Sequence, residues 1–222
     1  MSAIAVIAKA PAPGRSKTRL CPPCTPAQAA LLAEAALADT LAAAARTRVE
    51  RRVLVLDDPA RAFAAPPGFQ LVRQRGEGLA QRLANAFDEI GGPLLLIGMD
   101  TPQVTAALLE RGLELLAPGR AVLGAALDGG YWAIGLHAAD PGVFAGVPMS
   151  AAETCAHQRR RLAERGLAVD ELPALRDVDV ISDARAVAET APHGRFAATL
   201  RALPVAVSSA AAASPVPAGA AA

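Results

Sequence analysis

Short apolar runs alternate along this chain with longer stretches in which apolar side chains recur every three or four positions. The short runs read as strands over 4–8, 52–57, 69–74, 93–98, 120–126, 131–137 and 167–173. The longer stretches read as helices over 26–46, 79–90 and 103–116, then an arginine-rich helix over 151–166 and two more over 183–189 and 195–203. Strands and helices taken in turn predict an α/β fold, a three-layer α/β/α sandwich on a mostly parallel mixed sheet. Residues 204–222 carry no charge and consist largely of alanine, proline, valine and serine, which predicts a disordered Ala/Pro-rich tail behind a single domain over 1–203.

A length of 222 residues suits one substantial core, and 53% hydrophobic residues are enough to fill it. The net charge of +1 argues against a general nucleic-acid binder. No basic segment precedes the short apolar run at the start, and Glu34 and Asp39 interrupt the alanine-leucine run nearest to a bilayer span. The expectation is a cytoplasmic protein with no membrane partner. Cys21 and Cys24 form a CPPC pair outside the strand-to-helix setting of a redox motif, and Cys155, His137, His157 and His193 stand singly. The pair reads as two reduced thiols in a proline-rich connection. Arg159, Arg160 and Arg161 read as a solvated helix face, and no histidine has a serine or cysteine partner for triad hydrolysis.

The candidate chemistry begins in AKAPAPGRSKTRL, where Pro11, Pro13 and Gly14 break any helix and Lys9, Arg15, Lys17 and Arg19 crowd one loop after the first strand. Such a density of cations suits phosphate; a basic surface loop is the plain alternative. GRSKT has serine where a Walker loop needs glycine, and no GxGxxG follows a strand, so neither a P-loop nor a dinucleotide fold is indicated. In PLLLIGMDTP, Asp100 ends a buried strand with Thr101 and Pro102 placed to open the next helix, which leaves the carboxylate free to ligate a divalent metal; a capping or turn aspartate is the plain alternative. Asp177 and Asp179 stand two residues apart, on one side of an extended strand, and Asp183 reads as a structural carboxylate at a helix start. In LDGGYW, Asp128 before Gly129 and Gly130 either touches an acceptor or simply makes a tight turn before Tyr131. Gln74, Gly76, Gly78 and Arg82 either read a nucleobase or ribose or form an ordinary loop and helix surface.

With these segments in order, residues 3 to 190 resemble a bacterial family of glycosyltransferase-A-like proteins of formerly unknown function, called arsenosugar-biosynthesis-type glycosyltransferases. The motifs that carry the likeness are AKAPAPGRSKTRL, QxGxGL with Arg82, IGMDTP, LDGGYWAIGL and LPALRDVDV ending in Asp183. The first piece is also similar to 2-phospho-lactate guanylyltransferases and, more distantly, to molybdenum-cofactor guanylyltransferases. The resemblance implies a nucleotide-diphospho-sugar transferase (GT-A) fold, a nucleotide or nucleotide-sugar donor at the carboxyl edge of the sheet, a small-molecule acceptor and Mg2+ or Mn2+. It implies catalytic roles for Lys17, Arg15 and Asp100, with Asp100 and Asp179 (Asp177 in second place) on the metal. Nucleotide binding would fall to Ala8, Lys9, Gly14, Arg15, Lys17, Arg19, Gln74, Gly76 and Arg82, and acceptor binding to Asp128, Gly129, Gly130 and Tyr131. Ala80 replaces the family's usual glycine, VPMS replaces a tryptophan-containing pattern, and Val180-Ile181 replace Thr-Pro.

Three activities follow from such a site. Glycosyl transfer from a nucleotide-diphosphate sugar is the named expectation. Nucleotidyl transfer from a nucleoside triphosphate to a phosphorylated acceptor, with pyrophosphate leaving, is the alternative, and a noncatalytic nucleotide binder the second. Alanine-rich helix faces leave a homodimer open.

Overall fold

The computed structural model describes residues 1–58 and 65–204, so the tail expected over 204–222 falls, after Pro204, outside the described residues. Seven strands form one sheet: β1 (Ala3–Ala8), β2 (Arg51–Leu56), β3 (Phe69–Arg73), β4 (Leu94–Gly98), β5 (Arg120–Ala126), β6 (Tyr131–Leu136) and β7 (Ala168–Leu175). Their order is β3-β2-β1-β4-β6-β5-β7. β6 alone runs antiparallel, pairing β4 on one side and β5 on the other. The β1–β2, β1–β4, β2–β3 and β5–β7 pairs are parallel.

Central strands covered on both faces must be apolar throughout rather than alternating, and β1 is. Its Ile4, Val6 and Ala8 pack with Ala33, Leu37 and Leu41 of α1 (Pro26–Arg46) and Leu109 of α3 (Ala106–Glu114). Ala3 and Ala5 face the other way, toward Leu83 and Phe87 of α2 (Gly78–Ile90) and Leu162 of α4 (Thr154–Glu164). These are the expected three layers. A further cluster joins Leu32 and Ala36 of α1 to Val187 of α5 (Ile181–Thr190) and Phe196 of α6 (Arg195–Ala202).

α1 starts where Thr25 and Gln28 form a reciprocal capping box, with Pro26 in the first turn. By length and composition alone it could cross a membrane, yet most of it is buried inside the fold, as in a core helix. Its packing accounts for that composition, because it lies between the sheet and α6 and so needs apolar side chains on two faces. Asp39 then has a structural use: its carboxylate accepts from the backbone N–H of Arg195 (2.9 Å) and Phe196 (2.8 Å) and so caps α6.

Three local expectations need correction. Thr101 and Pro102 do not open the next helix; Thr105 caps α3 instead, its Oγ1 accepting from Leu108 N at 3.2 Å. The arginine-rich helix begins at Thr154 rather than 151. Asp177 and Asp179 lie beyond the end of β7 rather than on a strand.

The single antiparallel strand positions the site. β1, β4, β5 and β7 all run toward one edge of the sheet, and β6 starts there. The loop after β1, Asp100 after β4, the turn between β5 and β6, and the acids after β7 are therefore brought to the same edge.

Candidate functional site

A cleft of about 720 Å³ opens at this edge, within the size range of small-molecule sites. Its first wall is the loop after β1. Ala10 N–H donates to Asp57 Oδ1 (2.7 Å), Ala12 N–H donates to Ser16 Oγ (3.0 Å), and Arg15 and Ser16 N–H both reach Ala12 O (3.1 Å). This folding of the loop on itself buries Ser16 and sets Lys9, Arg15, Lys17 and Arg19 along the cleft.

Lys17 is the exceptional residue of that wall. Its φ of 51° and ψ of 41° place a non-glycine residue in the left-handed region, a conformation that costs about 1 kcal/mol and is retained where surroundings enforce it. The result turns its side chain inward, where only 8% stays exposed. The ammonium lies 2.7 Å from Asp100 Oδ1 and 3.9 Å from Asp179 Oδ1, and donates to the carbonyl of Val178. Arg19 holds the other oxygen of Asp179 at 2.8 Å. Lys17 and Arg19 are thus met by acids of the chain itself.

The segment after β7 is pinned to the end of β4. Val178 N–H donates to Asp100 O (2.9 Å) and the Val178 side chain is fully buried, so Asp177 and Asp179 on either side of it turn to the cleft. Arg176 pairs with Asp183 (3.0 Å), whose second oxygen accepts from Val180 N–H, the structural part expected of Asp183. One carboxylate oxygen from each of Asp128, Asp177 and Asp179 lies within 4.8 Å of the others. Burial, followed by the neighbouring charges of Asp128 and Asp179, pushes the Asp177 carboxyl up to about 6. Three carboxylates gathered this closely, beside the Asp100 carboxylate, are a donor set that fits a hard divalent cation.

The opposite wall is the turn before β6. Asp128 Oδ1 accepts from Gly130 N–H (2.8 Å), so the carboxylate both makes the turn and faces the cleft. Gly129 has a φ of +92°, and a Cβ there would stand 1.8 Å from Ala152 O, while its carbonyl accepts from Cys155 N–H (2.8 Å). Only glycine permits this approach, which docks residues 149–154 beside the turn. The Tyr131 hydroxyl donates to Gln158 Oε1 (3.3 Å), and burial raises its phenol, keeping it neutral.

Two sequence candidates turn out differently placed. Gln74 lines the cleft, yet its side-chain nitrogen donates to Ala8 O (2.6 Å) and Val55 O (3.2 Å), which ties β1 and β2 together and leaves those donors unavailable to a base. Gly76, at φ +109°, serves the entry to α2, and Arg82 lines the cleft with Nε 3.4 Å from Gly76 O. Asp57, Ser16, Gln158 and Met149 shape the site without having been candidates; only the fold brings them there. Cys21, Cys24 and Cys155 are free thiols, and Cys21 and Cys24 sit in the apolar cluster of α1, α5 and α6. The solvated arginine face is only partly so: Arg159 pairs with Glu171 and Arg161 with Glu164, while Arg160 is exposed.

The same architecture occurs in solved structures. A protein of Desulfovibrio desulfuricans G20, provisionally named a nucleotide-diphospho-sugar transferase, superposes with a TM-score of 0.81 at 27% identity, over 90% of this chain and 94% of that one. Rv0371c of Mycobacterium tuberculosis H37Rv, crystallised with manganese, matches at 0.53 and 23% identity over 85% of this chain and 97% of its own. A nucleotidyl transferase of Methanothermobacter thermautotroptrophicus matches at 0.53 and 18% over 86% and 98%. The fold is therefore that of the nucleotide-diphospho-sugar and nucleotidyl transferases. No curated protein matches the chain in sequence. Residues 37–151 match the model of a family described as an uncharacterized protein conserved in bacteria (DUF2064), and the chain belongs to that family.

Proposed function

We propose that this protein is a metal-dependent transferase with a nucleotide-activated donor, and that it moves a glycosyl group from a nucleotide-diphosphate sugar to a hydroxyl of a small molecule. The observation that carries this reading is the Lys17 ammonium set between Asp100 and Asp179 at the head of a cationic loop. Phosphate needs the loop and a divalent ion needs the acids, and the two share one cleft. Asp100 and Asp179, with Asp177 and Asp128 beside them, would hold a magnesium or manganese ion, which when bound neutralises phosphate charge on the leaving group. Arg15 and Lys17 screen the same charge, Lys9, Arg19 and Arg82 extend the positive wall along the donor, and Asp128 accepts a hydrogen bond from the acceptor hydroxyl. That oxygen attacks the sugar carbon, its proton passes to a carboxylate oxygen of Asp128, and the nucleoside diphosphate departs with the bonding pair. Holding the partners in line supplies much of the rate.

Sugar transfer is favoured over nucleotidyl transfer by the acceptor wall. Among the described residues that line the cleft there, from Ala126 to Ile134 and Met149 to Thr154, none is lysine, arginine or histidine, while the carboxylates of Asp128 and Asp177 face in. With those carboxylates taken up by the metal and the acceptor hydroxyl, this wall offers a phosphorylated acceptor no cationic side chain of its own, whereas a neutral hydroxyl compound needs none. The density of cations in the first wall favours a second reading, a nucleoside triphosphate donor. A thermal-shift panel of nucleoside triphosphates and nucleotide sugars, each with and without Mg2+ or Mn2+, tests the shared part. Metal-dependent stabilisation by at least one donor is expected, and stabilisation indifferent to metal and unchanged in Asp100→Asn would favour a noncatalytic binder. Pyrophosphate release from a triphosphate would replace the glycosyl reading with the nucleotidyl one.

A further inference from the structure

We propose that Lys17 is a built-in rival of the metal: its ammonium and a divalent cation seek the same carboxylate oxygens, so the ion binds firmly only when Lys17 is drawn off toward the donor's phosphates. This rests on the metal-dependent reading above and adds to it a coupling between metal and donor.

The geometry is specific to this lysine. Nζ lies 2.7 Å from Asp100 Oδ1 and 3.9 Å from Asp179 Oδ1, and the Val178 carbonyl, between the two acids of that segment, takes a further hydrogen bond. Two of the ammonium's three donors are thus within hydrogen-bond distance of an acceptor, and Asp179 stands at ion-pair distance. A divalent ion on Asp100 and Asp179 would lie at contact distance from this ammonium, and two cations that close, in a site where the lysine is 8% exposed, repel strongly. Arg19 supplies an internal contrast. It also binds Asp179, at 2.8 Å, but its side chain is 76% exposed, so water screens it and it can leave at little cost.

Lys17 has somewhere to go. Its backbone stands at the junction of the cationic loop and the short 3-10 helix Thr18–Leu20, and its four-carbon stem can swing within the cleft that Arg15 and Lys9 also line. Donor phosphates placed in that cleft offer the ammonium new anionic partners and free Asp100 for the ion. Binding of phosphate and metal then reinforce each other, each raising the other's affinity by the same factor.

The test uses Mn2+ alone, titrated into the full-length, chelator-stripped protein and followed by electron paramagnetic resonance. Lys17→Met is expected to bind Mn2+ at least about tenfold more tightly than wild type, and Arg19→Met within about threefold of it. Adding Asp100→Asn to Lys17→Met should remove the gain. Unchanged or weaker binding by Lys17→Met overturns the proposal, because a loop merely loosened by the substitution would lose metal rather than gain it. Binding that Asp100→Asn leaves untouched, or no binding by any variant, overturns the metal reading itself and is thereby distinguishable. A second measurement covers failure of Lys17→Met to fold: in wild type, the Lys17 Nζ resonance in 15N NMR should shift as Mg2+ saturates the site, and a resonance unmoved at saturation overturns the rivalry.

Discussion

The wall of the cleft built by the first half of the chain and the wall built after β5 carry opposite charge. Lys9, Arg15, Lys17, Arg19 and Arg82 line the first, Asp128, Asp177 and Asp179 the second, and Asp100 ends the central strand β4 between them. A chain of net charge +1 therefore contains a strongly polarised site, and the total charge does not describe the chemistry. The two walls also differ in how they are held. The positive one depends on a loop folded over Ser16 and Asp57 and on one left-handed lysine. The negative one depends on backbone hydrogen bonds that clamp Val178 to Asp100 and Cys155 to Gly129 of the β5–β6 turn.

The largest expected effects come where the walls meet. Asp100→Asn and Lys17→Ala should each lower turnover by roughly 100-fold or more, as when a charge-stabilising group leaves a preorganised site. Steady-state rates on the donor and acceptor identified by the binding panel measure this, and near-normal rates for both would reject the assignment. Next in size is Gly129→Ala. A Cβ 1.8 Å from Ala152 O forces the turn off its partner, and a loss of about 2–3 kcal/mol in stability is expected together with a raised acceptor KM. Denaturant unfolding checks the first part; a variant as stable as wild type would mean that the negative wall is not docked in this way.

The frame of this comparison was readable before the structure. Continuous apolar runs announced strands covered on both faces, and apolar spacing over 26–46 gave the bounds of α1. The meeting of the basic loop with Asp100 was also expected, because a parallel sheet sends the loops after β1 and β4 to one edge. Other features depend on contacts no local pattern encodes. Thr101 and Thr105 are both plausible caps in sequence, and only the depth of the chain after β4 decides; Thr101 is buried, and its Oγ1 finds no hydrogen-bond partner among the described residues. Gln74 looked free to read a base until the β2–β3 register set its amide against Ala8 O. Asp128 and Asp177 joined Asp179 through the β5–β6 hairpin and the anchoring of Val178, both long-range consequences of the sheet.

Titration sharpens the contrast between the walls. The Asp177 carboxyl, ordinarily near 3.8, is pushed up to about 6 by burial and by its acidic neighbours. The native state thus holds this proton more tightly than the unfolded chain. Its contribution to stability is complete below about pH 4 and is lost as the pH rises through about 6. In chelator, wild type should lose about 1–2 kcal/mol over that window relative to Asp177→Asn, after allowance for solvent screening. Saturating Mg2+ should shrink the difference. Thermal melts of both proteins at pH 4, 5, 6 and 7 give the comparison, and identical slopes would mean that the acids of the negative wall do not crowd one another.

The smallest effect is expected outside both walls. Cys21 and Cys24 lie close in sequence to Lys17, so their chemistry is the natural suspect if the positive wall were a redox or zinc device. Their surroundings argue otherwise: Cys24 is 4% exposed within the apolar cluster of Leu20, Leu32 and Phe196, and burial raises its thiol, which disfavours the thiolate that redox or metal chemistry needs. Replacing both by serine puts a hydroxyl where a thiol packed and should cost about 1 kcal/mol of stability, chiefly at the buried Cys24. Turnover should stay within about twofold of wild type, because neither sulfur lines the cleft. A collapse of activity in a double variant that still melts cooperatively would show that the loop depends on the thiols for more than packing, and the division of the site into one phosphate wall and one acidic wall would have to be redrawn around them.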